Sequence, residues 1–241
     1  FDAASCTRTF TLAVADLGQV LWVPGVVLAM QREMPRARLR AVGIDALVSL
    51  GDLASPEIDL QIGIPPKGPG LHVEPLHDEE SVLVARRHHP VALRRPSRAA
   101  LGALGHVRVE MVSGRGFRDP FTTTFARAGV AREIVATVPS FSAAVEVVAR
   151  TDLVTMLPRG LLAAKGAKLG LVEVAGAPRR TIAIAMCWHE RTHADPAARA
   201  FRGVVRDVVR GVVTGAVAGT GASGAGVPGQ RSRRHAKLPS T

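Results

Sequence analysis

Thr9-Phe10-Thr11-Leu12-Ala13-Val14-Ala15-Asp16 is the stretch from which the fold is read. Alternating, β-favouring residues over Thr9–Val14 predict a half-buried strand. Asp16 then stands where a helix N-cap belongs, ahead of a helix-like run reaching Glu33. Pro24 interrupts that run and predicts a kink or a shifted start, because proline lacks an N–H and crowds the preceding turn. A strand feeding directly into a helix is the opening of a βαβ unit, the building block of α/β folds.

The same grammar continues outward in both directions of reading. Arg38–Val42 reads as a second strand, Ala46–Ala54 as a short helix, and Ile58–Ile64 as a buried strand ending at Pro65-Pro66. Leu71–Leu76 and Ser81–Ala85 read as two further strands. Beyond an Arg-rich connection come a helix over Ser97–Leu104, a strand over His106–Val109 and a helix over Phe121–Ala128, closed by Gly129 at C′. Ile134–Val138 is strand-like, and Pro139-Ser140 opens a helix over Phe141–Ala149. Leu153–Leu157 forms a strand that runs through Pro158 into a helix to about Lys165. Strands follow at Leu171–Val174 and Thr181–Trp188. Asp195-Pro196 starts the last helix as N-cap and first-turn proline. That helix lays Val204, Val205, Val208, Val209, Val212 and Val213 along one stripe, which must dock on a core.

Composition narrows the possible functions. The 241 residues are 47% hydrophobic and 21% charged, enough for a sizeable core in one large domain or two small lobes. Aromatic residues make up only 4% and Tyr is absent, so platforms for stacking single-stranded bases are scarce. The formal charge of +11 suggests nucleic acid, but its placement argues otherwise. The tail from Ala216 contributes Arg231, Arg233, Arg234 and Lys237 with no acid, and seven arginines between Arg86 and Arg115 face only Glu110. A solvated arginine-rich surface explains this better than a DNA-reading face. Cys6 and Cys187 have no metal or redox spacing, and Cys187 reads as a small buried hydrophobe. Neither a signal peptide nor a charge-free run long enough for a bilayer is found, so a cytoplasmic protein without membrane contact is expected. Gly, Ala and Ser dominate from Gly215 onward, which predicts a disordered basic tail over 216–241.

Several segments, in order, resemble the LysR-type transcription regulators, and most closely the branch holding nodulation and aromatic-degradation regulators. They are Phe1–Asp16, which resembles the stretch after that family's linker helix, then Glu57-Ile58-Asp59-Leu60-Gln61-Ile62-Gly63, Leu76-His77-Asp78-Glu79 and Arg86-Arg87-His88-His89-Pro90. Val138-Pro139-Ser140-Phe141, Thr151–Pro158 and Trp188-His189-Glu190 complete the set, so that coverage extends to about Val213. The resemblance implies two Rossmann-like lobes of the type-2 periplasmic-binding-protein fold. Lobe I would hold residues 1–85 and 187–215, and lobe II residues 86–186. It also implies a small-molecule inducer, aromatic or anionic, between the lobes, and assembly as a homodimer or tetramer. DNA would be read only through a helix-turn-helix that this chain does not contain. No cofactor and no catalytic residue is expected.

Candidate inducer contacts follow from the resemblance together with residue chemistry. Asp16 and Leu17 fall at the cleft mouth, although Asp16 could equally be a plain N-cap. Gly63 and Ile64 end a strand where backbone can approach a ligand, or simply turn before two prolines. Ser113 and Arg115 lie in a Ser-Gly-Arg-Gly loop able to hold a carboxylate by amides and a guanidinium fork, or else merely exposed. Pro139 and Ser140 open a helix on the second lobe's cleft face, with Ser140 able to cap it. Phe141 could stack on an aromatic inducer or pack in the core.

His189-Glu190-Arg191-Thr192-His193 spells H-E-x-x-H, the zinc-hydrolase pattern, in which a helix aligns the two histidines. Here it follows a strand and precedes a helix cap, so positions i and i+4 do not share a face, and no metal is expected from it. A zinc hydrolase on His189, Glu190 and His193, and a transport solute-binding protein of the same fold, stand as the alternative functions.

Overall fold

Residues 1–49, 52–112 and 119–220 are described by a computed structural model of the chain. The first half runs β1 (Thr9–Val14), α1 (Asp16–Leu21), α2 (Val23–Glu33), β2 (Arg38–Val42), α3 (Ala46–Ser49), β3 (Leu60–Gly63) and β4 (Leu71–Arg86). It continues with α4 (Arg98–Gly102), β5 (Gly105–Val109), α5 (Thr122–Arg127), β6 (Glu133–Val138), α6 (Phe141–Arg150), β7 (Val154–Pro158), α7 (Arg159–Leu169) and β8 (Leu171–Glu173). β9 (Arg180–His189) and α8 (Pro196–Thr220) close it.

Strands β1, β2 and β3 pair in parallel, as do β7, β5 and β6. The two parallel sets are joined by β9 and β4, which run antiparallel to each other and give the order β2-β1-β3-β9-β4-β7-β5-β6, with β8 on β4. Each parallel set has its own core. Phe10, Leu12, Met30, Met34, Leu60, Phe201 and Val205 fill the first, where the Phe10 and Phe201 rings stack at 4.5 Å. Val84, Val107, Val145, Val148 and Leu157 form a second, and Leu83, Leu101, Phe125 and Met156 a third on the opposite face.

Local chemistry places most boundaries. Gly129 and Gly170 take φ of +69° and +64° just past α5 and α7, a conformation costly for residues with a Cβ. Ser140 caps α6 by accepting from the Ala143 N–H at 3.0 Å, and Asp195 starts α8 by accepting from Ala197 at 2.9 Å. In α6, Phe141, Ala144, Val145 and Val148 recur at helical spacing and are all buried. Arg8 ties β1 to its neighbours through ion pairs with Asp59, before β3, and with Asp195.

As Pro24 predicts, the helical run over Leu17–Glu33 restarts: it breaks at Trp22, and Pro24 falls in the first turn of α2, where its missing N–H costs nothing. Three other expectations need correction. Asp16 does not cap its own helix; Ala15 holds the cap position without a side-chain bond. The strands expected at Leu71–Leu76 and Ser81–Ala85 are one strand, with a register shift between Pro75 and His77. Pro75 and the polar run His77-Asp78-Glu79-Glu80 look like a turn, but β9 supplies ladder partners on both sides of the irregularity. The helix α8 continues through Ala216, Val217 and Ala218 to Thr220, so the first residues of the expected tail are helical. Residues 221–241 lie outside the described ones. Cys187 is fully buried on β9 and burial pushes its thiol up to about 11, so it is inert packing. Among the described residues no helix is long and apolar enough to cross a membrane.

Candidate ligand-binding cleft

The carboxyl ends of β1, β3 and β5 point toward one another across the middle of the sheet, where ligands gather in α/β folds. A cleft of about 380 Å³ lies there, within the range of small-molecule sites. The first half lines it with Leu17, Gly18 and Trp22 after β1, Ile44 after β2, and Gln61–Ile64 from β3. Val107–Val109, Met111 and Val112 come from β5 and its continuation, Phe121 from the cap position of α5, and Phe141 from α6. The joining strands add His77, Glu79 and Ser81 from β4 and Ile182 and Ile184 from β9. Its surface is therefore mainly apolar.

A few polar groups interrupt that surface, and some have no partner among the described residues. Gln61 donates its amide to the Ile64 carbonyl at 3.3 Å, yet its buried Oε1 accepts no hydrogen bond. Neither ring nitrogen of the buried His77 is hydrogen-bonded; Nε2 lies 3.5 Å from the Glu79 carboxylate, and the ring meets Trp22 edge-on. Arg108 pairs with Glu110 at 3.0 Å while its buried Nε stays unpartnered. Burying a polar atom without a partner is expensive, so such atoms are what a bound molecule would satisfy.

One wall is held by buried charges. Arg132 and Asp119 pair at 2.5 Å, both lining the cleft and both almost wholly shielded from solvent. Asp119 also accepts from the Phe121 N–H, while Arg132 lies over Phe125 and donates toward His106 Nδ1 at 3.4 Å. His106 is completely buried; desolvation, reinforced by the Arg132 charge, pushes its pKa down to about 4. It is neutral at physiological pH.

The positions expected to contact the inducer are distributed as follows. Leu17, Gly63, Ile64 and Phe141 line the cleft. Pro139 and Ser140 do not, and Ser140 is engaged in capping α6. Ser113 and Arg115 lie outside the described residues. Asp16 reaches from α1 to the other half, where its two oxygens accept from the Phe141 and Ser142 N–H groups at 3.1 and 2.7 Å. It thus supplies the negative charge that the positive end of α6 favours. Leu17 and Leu21 pack into the core beneath α6, so α1 bridges the halves by both charge and apolar contact. Local reading missed Gln61, His77, Arg108, Asp119 and Arg132 as a group because they come from five separate strands and loops. The available signal was polar residues inside strand-like runs, at Gln61 and Arg108.

Asp16→Ala should cost about 2 kcal/mol, since hydrogen bonds to a charged group contribute roughly 1.5–3 kcal/mol and two amides are left bare. Scattering in solution should also report a more open molecule. Unchanged urea midpoint and unchanged radius of gyration would show that the contact carries no load.

This fold and cleft define a class, the small-molecule-binding domains of the type-2 periplasmic-binding-protein-like fold. More narrowly, the chain belongs to the LysR substrate binding domain family, whose pattern matches residues 4–210. It is 29% identical over 213 residues to the HTH-type transcriptional activator NahR of Pseudomonas putida, covering 86% of this chain and 69% of NahR. Identity to the activator NagR of Ralstonia sp is also 29%, covering 81% of this chain and 65% of NagR. The probable transcriptional regulator PA0477 from Pseudomonas aeruginosa superposes with a TM-score of 0.74 at 25% identity, over 86% of this chain and 68% of that one.

Proposed function

We propose that this chain is the effector-sensing part of a LysR-type transcription regulator and that its cleft binds a small, largely apolar molecule carrying an anionic or polar group, an aromatic acid being the fitting class. The observation that carries this reading is the apolar cleft with buried atoms on Gln61, His77 and Arg108 that have no hydrogen-bond partner among the described residues. Arg108 Nε can donate to an acceptor on the ligand and Gln61 Oε1 can accept from a hydroxyl, while the aliphatic lining takes the ring. Binding both sides of the cleft would favour one spacing of the two halves over others and so bias an existing equilibrium. In this proposal β4 and β9 act as the connection between lobes, and DNA contact belongs to a helix-turn-helix outside this domain. Exposed Val20, Val27 and Leu28 on α1 and α2, with Ile134 and Val135 on the edge strand β6, support assembly as a homodimer or tetramer.

Thermal-shift titration with a panel of substituted benzoic and hydroxybenzoic acids tests this. A matching acid at a hundred times its Kd should stabilise the domain by about 2.7 kcal/mol. His77→Ala and Gln61→Ala should weaken that acid at least about tenfold, the size of one lost buried hydrogen bond. Stabilisation that survives both substitutions would move the ligand out of this cleft, and no stabilisation by any member would reject the ligand class. Sedimentation of the same protein as a monomer at all concentrations would reject the assembly.

A further inference from the structure

Strand β9 ends at Trp188-His189, and Glu190–Thr192 form a single 3-10 turn before His193. The H-E-x-x-H spelling is thus not on an α-helix. His189 caps that turn, with Nδ1 accepting from the Arg191 N–H at 3.2 Å. Its place beside Glu190 and His193 is taken by a residue more than a hundred positions away. His72 stands opposite Trp188 in the β4–β9 ladder, its ring stacks on His193 with centroids 3.9 Å apart, and its Nε2 pairs with the Glu190 carboxylate. One ligand atom from each of His72, Glu190 and His193 lies within 4.8 Å of the others.

We propose that His72, Glu190 and His193 form a binding site for one divalent transition-metal ion, Zn²⁺ or Cu²⁺, at the outer end of the β4–β9 ladder. Two imidazoles and one carboxylate are borderline donors that select these ions over Mg²⁺ or Ca²⁺. A tetrahedral ion with bonds of roughly 2.0–2.2 Å needs donors about 3.3 Å apart, so loading separates the paired His72 and Glu190 atoms enough to admit the ion and turns the imidazoles out of their stack. Both histidines and Glu190 have solvent access, which gives an ion a way in and water for the remaining position. The scaffold is fixed on two sides. His72 is held by the ladder, and Arg202 donates to the Thr192 and His193 carbonyls while its guanidinium covers Trp188. The Arg202 charge opposes the cation and weakens its binding. Glu190 supplies the compensating negative charge.

Trp188 provides the readout. Its indole N–H donates to His193 Nδ1 at 3.3 Å. Loading through Nδ1 replaces that bond with the metal, and loading through Nε2 moves the ring proton to Nδ1; either route breaks the indole bond. Isothermal titration of the metal-free chain with Zn²⁺ should give one ion per chain together with a change in Trp188 emission, and Cu²⁺ should quench that emission. His72→Ala and His193→Ala should each lower Zn²⁺ affinity at least about tenfold, and Glu190→Gln by a similar factor. His189→Ala should leave it within about twofold. Melting in metal-free buffer identifies any variant that fails to fold, and His72→Asn then serves as the milder substitution. Absence of Zn²⁺ binding at millimolar concentration, or affinity that depends on His189 and not on His72, would overturn the assignment.

Discussion

Arg132→Ala should lower the stability of the domain by about 3–5 kcal/mol, the range for breaking a buried ion pair from one side. The guanidinium and the Asp119 carboxylate are both almost entirely shielded. Removing the cation leaves a buried carboxylate whose remaining hydrogen-bond partner among the described residues is the Phe121 N–H. The same substitution strips a cation from the face of Phe125 and a donor from His106. Replacing both members by apolar residues, as in Arg132→Met with Asp119→Leu, should cost less than the single change, because no unpaired charge remains. Urea midpoints at pH 7 for the two variants measure the difference. A single-variant loss below about 1 kcal/mol would mean that water screens the pair and that this wall of the cleft is not held by it.

Acid should weaken the fold through His106 before most carboxylates titrate. The group is neutral in the folded domain down to about 4, while an unfolded histidine takes its proton near 6.5. Between those values the unfolded chain binds more protons, so stability falls as pH falls through this window. The separation corresponds to about 3 kcal/mol, reached in full only below about pH 4 and absent above about pH 7. His106→Phe keeps an aromatic ring against Phe125, which His106 meets edge-on at 5.3 Å, and removes the titration. Its stability should change much less between pH 6.5 and 4.5 than that of the parent. Equal slopes for the two proteins in that interval would assign the acid sensitivity elsewhere. Arg132→Ala should also flatten the parent slope in part, since Arg132 is one cause of the depressed value.

Much of the fold was legible because its signals are local. The alternation in Thr9–Val14, the caps at Ser140 and Asp195, the glycines at 129 and 170 and the valine stripe of α8 each act within a few residues. They place elements in order, and that order with its family-like segments was enough for the α/β class and for the LysR resemblance. What the local signals could not supply was which strands pair. β4 reads as two strands until β9 is set beside it. Asp16 reads as a cap for its own helix until α6, more than a hundred residues later, offers it two free amides. Gln61, His77, Arg108 and Arg132 are unremarkable one by one and share a cleft only once the two parallel sets are joined.

The H-E-x-x-H stretch shows the division most plainly. Its sequence position, between a strand and a helix cap, already determined that His189 and His193 could not align as they would on a helix, and the 3-10 turn there agrees. Nothing in those five residues indicated His72. Pairing of β4 with β9 brought it in, because a ladder sets residues distant in the chain opposite one another at fixed spacing. Periodicity, capping and backbone conformation are properties of neighbours along the chain, and the sequence by itself determined those. Which side chains meet across the sheet, in the cleft or beside Glu190, depends on register between distant strands, and only the tertiary structure decided that.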